Sequence, residues 1–159
     1  MDVQNLTVGQ VMSRTLVAVA PDESPLMAWE IMCRAGIHHL PVIEDHGRLL
    51  GVLTREDLTA HWSGGPIEQS RVRVHALLAD HRCPHITLDT RLTEAAATMI
   101  DAGVDAIPVL GEKNRLVGMV TATDVLQAVA GRVAERQEPP EVMTGMFRLT
   151  PVLPRAGWE

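Results

Sequence analysis

The sequence predicts an α+β fold made of two β-α-β-β-α repeats, and three observations carry that reading. Gly51 to Leu58 reads G-V-L-T-R-E-D-L, and 67 positions on Gly118 to Val125 reads G-M-V-T-A-T-D-V. The same offset aligns Gly36 with Gly103, Pro41-Val42 with Pro108-Val109 and Met32 with Met99, with no gap between them. Within each copy, short apolar strand patterns alternate with capped helical ones. Repetition at a fixed period decides a fold more firmly than local propensity does.

The elements follow in order. Thr7 is a plausible N-cap for a short helix V-G-Q-V-M ending near Ser13, and L-V-A-V is a strand closed by the Pro21-Asp22-Glu23 turn. Ser24-Pro25 is a strong helix start, with Ser as cap and Pro at the first helical position. That helix runs through Ala28, Trp29 and Met32 to Gly36, a left-handed C-terminal glycine. I-H-H-L-P-V-I is the next strand, E-D-H-G a turn, R-L-L-G-V-L a second strand, and Thr54 opens a helix towards His61. Residues 63–70, S-G-G-P-I-E-Q-S, read as a linker, because Gly-Gly-Pro interrupts helix.

The second copy repeats the order. V-R-V-H-A-L-L-A reads as a helix, H-I-T-L as a strand and Asp89-Thr90 as a helix cap. Leu92, Ala95, Ala96 and Met99 fall at i, i+3, i+4 and i+7, one apolar helix face ending at Gly103. V-D-A-I-P-V-L and L-V-G-M-V are strands, and Thr121 leads into a helix reaching about Glu135. The expected division is a first repeat at 7–62, a linker at 63–70, a second repeat at 71–131, and a helix end with a proline-rich tail at 132–159. The tail has no clear periodicity, and its V-M-T faintly echoes Val11-Met12-Ser13.

With 159 residues, 46% of them apolar and 21% charged, the chain has ordinary globular composition and enough length for a real core. With no Tyr and one Phe, that core must be Leu, Val, Ile, Ala and Met. A net charge of −6 argues against a nucleic-acid partner, which needs a basic stripe. No apolar run reaches the roughly 18 residues that span a membrane, and the first residues carry no basic leader or apolar h-region. Two cysteines, Cys33 and Cys83, make no disulfide framework. The expectation is a cytoplasmic protein with reduced thiols and no membrane partner.

The repeated corner carries the chemistry. Gly-apolar-apolar ends a buried strand and Thr-x-x-Asp begins a helix. Such a helix start leaves backbone N–H groups without intrahelical partners, with partial positive charge behind them, and so suits phosphate. A threonine hydroxyl there can reach a phosphate oxygen, and a carboxylate one turn on can accept both hydroxyls of a ribose. Thr-x-x-Asp is equally close to a capping box, in which Thr54 and Asp57 satisfy only each other's backbone donors. Both readings stay open, since one Thr can cap and still face a ligand.

A duplicated β-α-β-β-α unit with apolar-Pro-Val in its first hairpin strand and G-h-h-T-x-x-D-h at the second strand's end resembles the CBS domain, and the tandem pair resembles a Bateman module. The resemblance covers about residues 7–131. It implies two units packed sheet against sheet about a pseudo-two-fold axis, with two clefts that bind AMP, ADP, ATP or S-adenosylmethionine as regulatory ligands, no cofactor being required. Position by position, it implies ribose binding by Asp57 and Asp124 and phosphate-proximal hydroxyls at Thr54 and Thr121. His38-His39 and Asp105-Ala106 would line the adenine and phosphate side. Leu16, Val17 and Ala18, and likewise Cys83, Pro84 and His85, would offer backbone groups to the adenine edge. The first copy adds Arg55 and the two histidines as donors, where the second has Ala122, Asp105 and Ala106. A phosphorylated adenosine is therefore expected in the first cleft, with the second empty or holding an uncharged adenosyl group. The resemblance also implies a homodimer acting on a protein target that the sequence does not name.

Two other readings compete. One is a metal or redox sensor: His81, Cys83 and His85 alternate, so an extended strand would turn all three to one side as zinc-type ligands. Against a metal, three ligands at spacing two strain a single tetrahedron. The other rival is a structural dimerisation or partner-interaction module with unoccupied clefts. None of the P-loop, dinucleotide, zinc-protease or nucleophile-elbow motifs is present, so no enzyme activity is expected.

Overall fold

A computed structural model describes residues 2–13, 15–62, 64–78, 83–133 and 141–144. After a 3-10 turn at Val3–Asn5, the order is α1 (Val8–Val11), β1 (Thr15–Ala18), α2 (Pro25–Ala35), β2 (His39–Ile43), β3 (Leu49–Thr54), α3 (Arg55–Ala60) and α4 (Pro66–Arg71). Then come α5 (Val74–Leu77), α6 (Leu92–Ala102), β4 (Ala106–Leu110), β5 (Leu116–Thr121), α7 (Ala122–Val129) and β6 (Glu141–Thr144). β2 pairs with β3 and β4 with β5, and β1 pairs with β6.

The described residues form two compact units, one drawing on 1–16, 46–49 and 82–142, the other on 17–45, 50–81 and 143–159. Each has its own apolar core. Ala28, Ile31, Met32, Leu40, Val42, Leu53 and Leu58 fill one, joined by Val74 and Leu77 of α5. Leu92, Ala95, Met99, Ile107, Val109 and Val120 fill the other, joined by Leu6, Val8 and Met12 from the start of the chain. Each repeat's opening helix is thus packed in the other repeat's unit. The backbone follows the same exchange, Val8 N donating to Thr90 O at 2.8 Å and Val74 N to Glu23 O at 2.9 Å.

The first repeat matches its sequence reading closely. Ser24 Oγ accepts from Met27 N at 3.2 Å, and Gly36 ends α2 at φ 64°. In the second repeat Gly103 ends α6 at the same φ of 64°. On α6, Leu92, Ala95 and Met99 are buried, as their spacing predicts.

Five expectations are corrected. Residues 63–70 are not only a linker: Pro66 opens α4, which packs on α2, as proline's fixed φ and missing N–H allow at a helix start. The V-R-V-H-A-L-L-A helix shortens to Val74–Leu77, because Arg73 is extended at φ −113° and ψ 145°. H-I-T-L makes one bridge, Ile86 to Val109, instead of a strand. The chain turns at once there, with Thr90 N donating to Thr87 O at 3.2 Å. Asp89-Thr90 is no helix cap, since Thr90 Oγ1 accepts from Thr87 N within that turn and Arg91 holds the cap position. Finally α7 stops at Val129 instead of near Glu135: Gly131 turns left-handed at φ 72°, and Arg132 N donates back to Gln127 O at 2.8 Å, a glycine-terminated helix end. In the tail, Glu141–Thr144 forms β6 where no strand was expected.

The exchanged helices set a sharp steric constraint. A Cβ on Gly118 would lie 2.5 Å from Met12 Sδ and 2.9 Å from the Ser13 carbonyl oxygen, whereas one on Gly51 would meet only Leu78 side-chain carbons at 3.3 Å. The Met12 side chain can move, but Ser13 is fixed by hydrogen bonds to and from Met119 at 2.8 and 3.0 Å. Gly118→Ala is therefore expected to cost about 1–3 kcal/mol of stability, roughly 2–12 °C in melting temperature for this length. Gly51→Ala should cost clearly less. Thermal melts of the two variants, followed by circular dichroism, check this ranking, and equal losses would contradict it.

Candidate functional site

The corner at Thr54 is built by a strand that turns directly into a helix. Thr54, extended at φ −106° and ψ 164°, is the N-cap of α3. Its Oγ1 accepts from Asp57 N at 3.1 Å, and Asp57 Oδ2 accepts from Thr54 N at 2.8 Å. Asp57 is 7% exposed, the one buried charged side chain among the described residues. Burying a carboxylate is costly unless it is hydrogen-bonded, and this reciprocal pair supplies bonds of that kind.

The corner at Thr121 repeats it. Asp124 N donates to Thr121 Oγ1 at 3.2 Å, and Asp124 Oδ2 accepts from Thr121 N at 2.8 Å and from the Thr121 hydroxyl at 3.1 Å. The flanking backbone repeats as well. Arg55 N donates to His38 O at 3.3 Å, and Ala122 N donates to Asp105 O at 2.8 Å. Val19 bridges Val42 in parallel, and Ile86 bridges Val109 in parallel. In the second repeat the strand register sets Ala106 opposite Thr121.

The sequence-predicted residues fall into two groups. Val17, Ala18, His38, His39, Thr54, Arg55 and Asp57 belong to one unit, while Leu16 is grouped with the other. Cys83, Pro84, His85, Asp105, Ala106, Thr121 and Asp124 all belong to that other unit. Leu16, Val17 and Ala18 are buried. His38, His85 and Asp105 are exposed, His39, Thr54, Arg55, Thr121 and Asp124 are half-buried, and Ala106 is buried. Cys83 is partly buried and Cys33 exposed, and they form no disulfide.

Arg55 behaves in a way that no local pattern announces. Its Nη2 reaches the carbonyl of Met32, near the C-terminus of α2, at 3.5 Å across 23 residues of sequence. Its Nε is buried without a hydrogen-bond partner. Ala122, the equivalent residue, has no such group. His81 lies outside the described residues, and among those described no cluster of three His, Cys, Asp or Glu side chains is placed to hold a metal. No described helix is long and apolar enough to cross a membrane.

Comparison with known proteins places the chain in a family. The model of the CBS domain matches residues 8–64 and 75–131. A CBS domain-containing protein of Dictyostelium discoideum is 30% identical over 127 residues, 75% of this chain and 88% of that protein. The magnesium transporter MgtE of Thermus thermophilus is 31% identical over 132 residues, 83% of this chain and 25% of the transporter. Among solved structures, CBSX2 in complex with AMP has a TM-score of 0.70 at 25% identity, covering 80% of this chain and 98% of that one. The cytosolic domain of the Mg2+ channel MgtE in complex with ATP has a TM-score of 0.64 at 31% identity, covering 77% of this chain and 48% of that one. The two matched blocks take up more than half of the sequence, and the chain belongs to the CBS domain family as a tandem pair of CBS domains.

Proposed function

We propose that this protein is a regulatory module that binds adenosine-containing nucleotides, AMP, ADP, ATP or S-adenosylmethionine, at its Thr–Asp corners and performs no catalysis itself. The observation that carries this is the repeated corner, the same hydroxyl and carboxylate on the same backbone frame in both repeats. Relatives solved with AMP and with ATP supply the ligand class. In this reading Asp57 and Asp124 accept the ribose hydroxyls, Thr54 and Thr121 lie near phosphate, and the residues around Val17 and Pro84 meet the adenine edge. Regulation follows if ligand favours one arrangement of the module over another, since only differential affinity shifts a population. The module acts as a cytoplasmic homodimer on a protein target.

One observation favours a second reading, a structural interaction module without ligand. Both Thr–Asp pairs already serve as helix caps. Loss of a cap costs about 1 kcal/mol, so Thr54→Ala and Thr121→Ala should each lower the melting temperature by roughly 2–4 °C on either reading. Ligand separates the two. At about 100 times its dissociation constant a nucleotide adds roughly 2.7 kcal/mol, which raises the melting temperature by roughly 5–10 °C. Thermal denaturation with AMP, ADP, ATP and S-adenosylmethionine is expected to give that rise with at least one of them. No rise with any would favour the structural module.

A further inference from the structure

We propose that the proline-rich end of the chain, Pro151-Val152-Leu153-Pro154-Arg155, docks on an aromatic face that Trp29 and Trp62 build in the first repeat. This docking does not depend on the nucleotide reading above. Trp29 stands on α2, half-buried against the core of its unit. Trp62, just past the end of α3, meets it with ring centroids 6.3 Å apart and planes tilted by 58°. Rings at that separation and tilt hold each other in place. Leu26 lies one turn before Trp29 on the same side of α2 and is 45% exposed, and Trp62 is 43% exposed. Ile67, on the α4 that packs on α2, is 69% exposed. Helices packed on one another thus present large apolar side chains with open surface around a fixed aromatic pair. Apolar surface grouped in this way marks an interaction site, whereas scattered apolar residues do not.

Residues 145–159 lie outside the described residues, and their sequence names the occupant. Proline locks φ, and the polyproline II helix it favours repeats every three residues without internal hydrogen bonds. Pro151 and Pro154 would share one edge of such a helix, with Val152 and Leu153 between them. Segments of this P-x-x-P form bind grooves lined by aromatic rings, and they arrive with little conformational entropy left to lose. Placement along the chain favours the same face. Glu141–Thr144 forms β6 against β1, and Met143 and Thr144 are grouped with the unit that holds Trp29 and Trp62. The stretch from Thr144 to Pro151 can extend to about 25 Å, roughly twice the radius of gyration of a unit of this size. The segment can therefore cross that unit's surface. Charge adds little. Glu68, whose carboxylate accepts from Gly65 N at 2.8 Å, stands close to Trp62 in the chain as a counter-charge for Arg155. Against it, α4 also carries Arg71, and Glu30 beside Trp29 is already paired with Arg34. The aromatic face supplies the binding.

Nitrogen-15 relaxation of the full chain tests the docking. In the unaltered protein the Val152, Leu153 and Arg155 amides are expected to have order parameters of about 0.8, like the helices. Replacing both prolines, Pro151→Ala with Pro154→Ala, should lower them below about 0.6 and shift the indole N–H signals of Trp29 and Trp62. Trp62→Ala should free the segment in the same way. The proline variant leaves every residue of the aromatic face in place, so it decides the matter even if losing Trp62 disturbs the packing of α2. Order parameters below about 0.6 for these amides in the unaltered chain would overturn the docking, since the segment is then free. So would a segment that stays ordered in Trp62→Ala, or a proline variant that leaves both indole signals unmoved, because either places the segment elsewhere. Indole shifts that follow protein concentration alike in the unaltered chain and in the proline variant would give the face to a second copy, and would overturn it as well.

Discussion

The reciprocal cap between a threonine at a strand's end and an aspartate one helical turn later is the interaction on which the candidate site depends. Each partner satisfies a backbone donor that the abrupt change from strand to helix would leave open. The cap also fixes where the chemistry lies, because it locks the rotamers of the hydroxyl and the carboxylate. For Asp57 the constraint is stronger, since a carboxylate 7% exposed must be held by hydrogen bonds to stay there. A cap strong enough to hold a buried carboxylate is also a preorganised acceptor, so the structural and the ligand-binding readings share one piece of physics.

Duplication explains why the frame occurs twice, and divergence after it explains why the two corners differ. The backbone features are preserved: paired left-handed glycines at Gly36 and Gly103, positive φ at His46 and Lys113 in the hairpin turns, and parallel bridges at Val19 and Ile86. What changes is the side chain carried on that frame, His38 to Asp105 and Arg55 to Ala122. Backbone geometry limits where a group can stand, whereas the side chain sets which charge stands there.

The sequence made much of this legible, wherever a signal was local or periodic. The cap at Ser24, the end at Gly36, the buried face of Leu92, Ala95 and Met99, and both Thr–Asp corners follow from residues within two turns of one another. Signals that depend on distant contacts were not readable. Thr90 looks like a helix cap in the sequence, but its carbonyl accepts from Val8 and its hydroxyl closes a local turn. The packing of α1 with the second repeat and α5 with the first is a tertiary choice that an ungapped alignment does not record. Arg55 reads as a phosphate-side donor, and only the fold reveals that its guanidinium reaches across to the end of α2.

The most direct test of the account is a 1H–15N NMR titration of the full chain with AMP, following the backbone amides of the two corners. The account predicts saturable shifts of the Thr54, Arg55 and Asp57 amides, of the Thr121, Ala122 and Asp124 amides, or of both sets. Shifts confined to other surfaces, or none at saturating AMP, would contradict it.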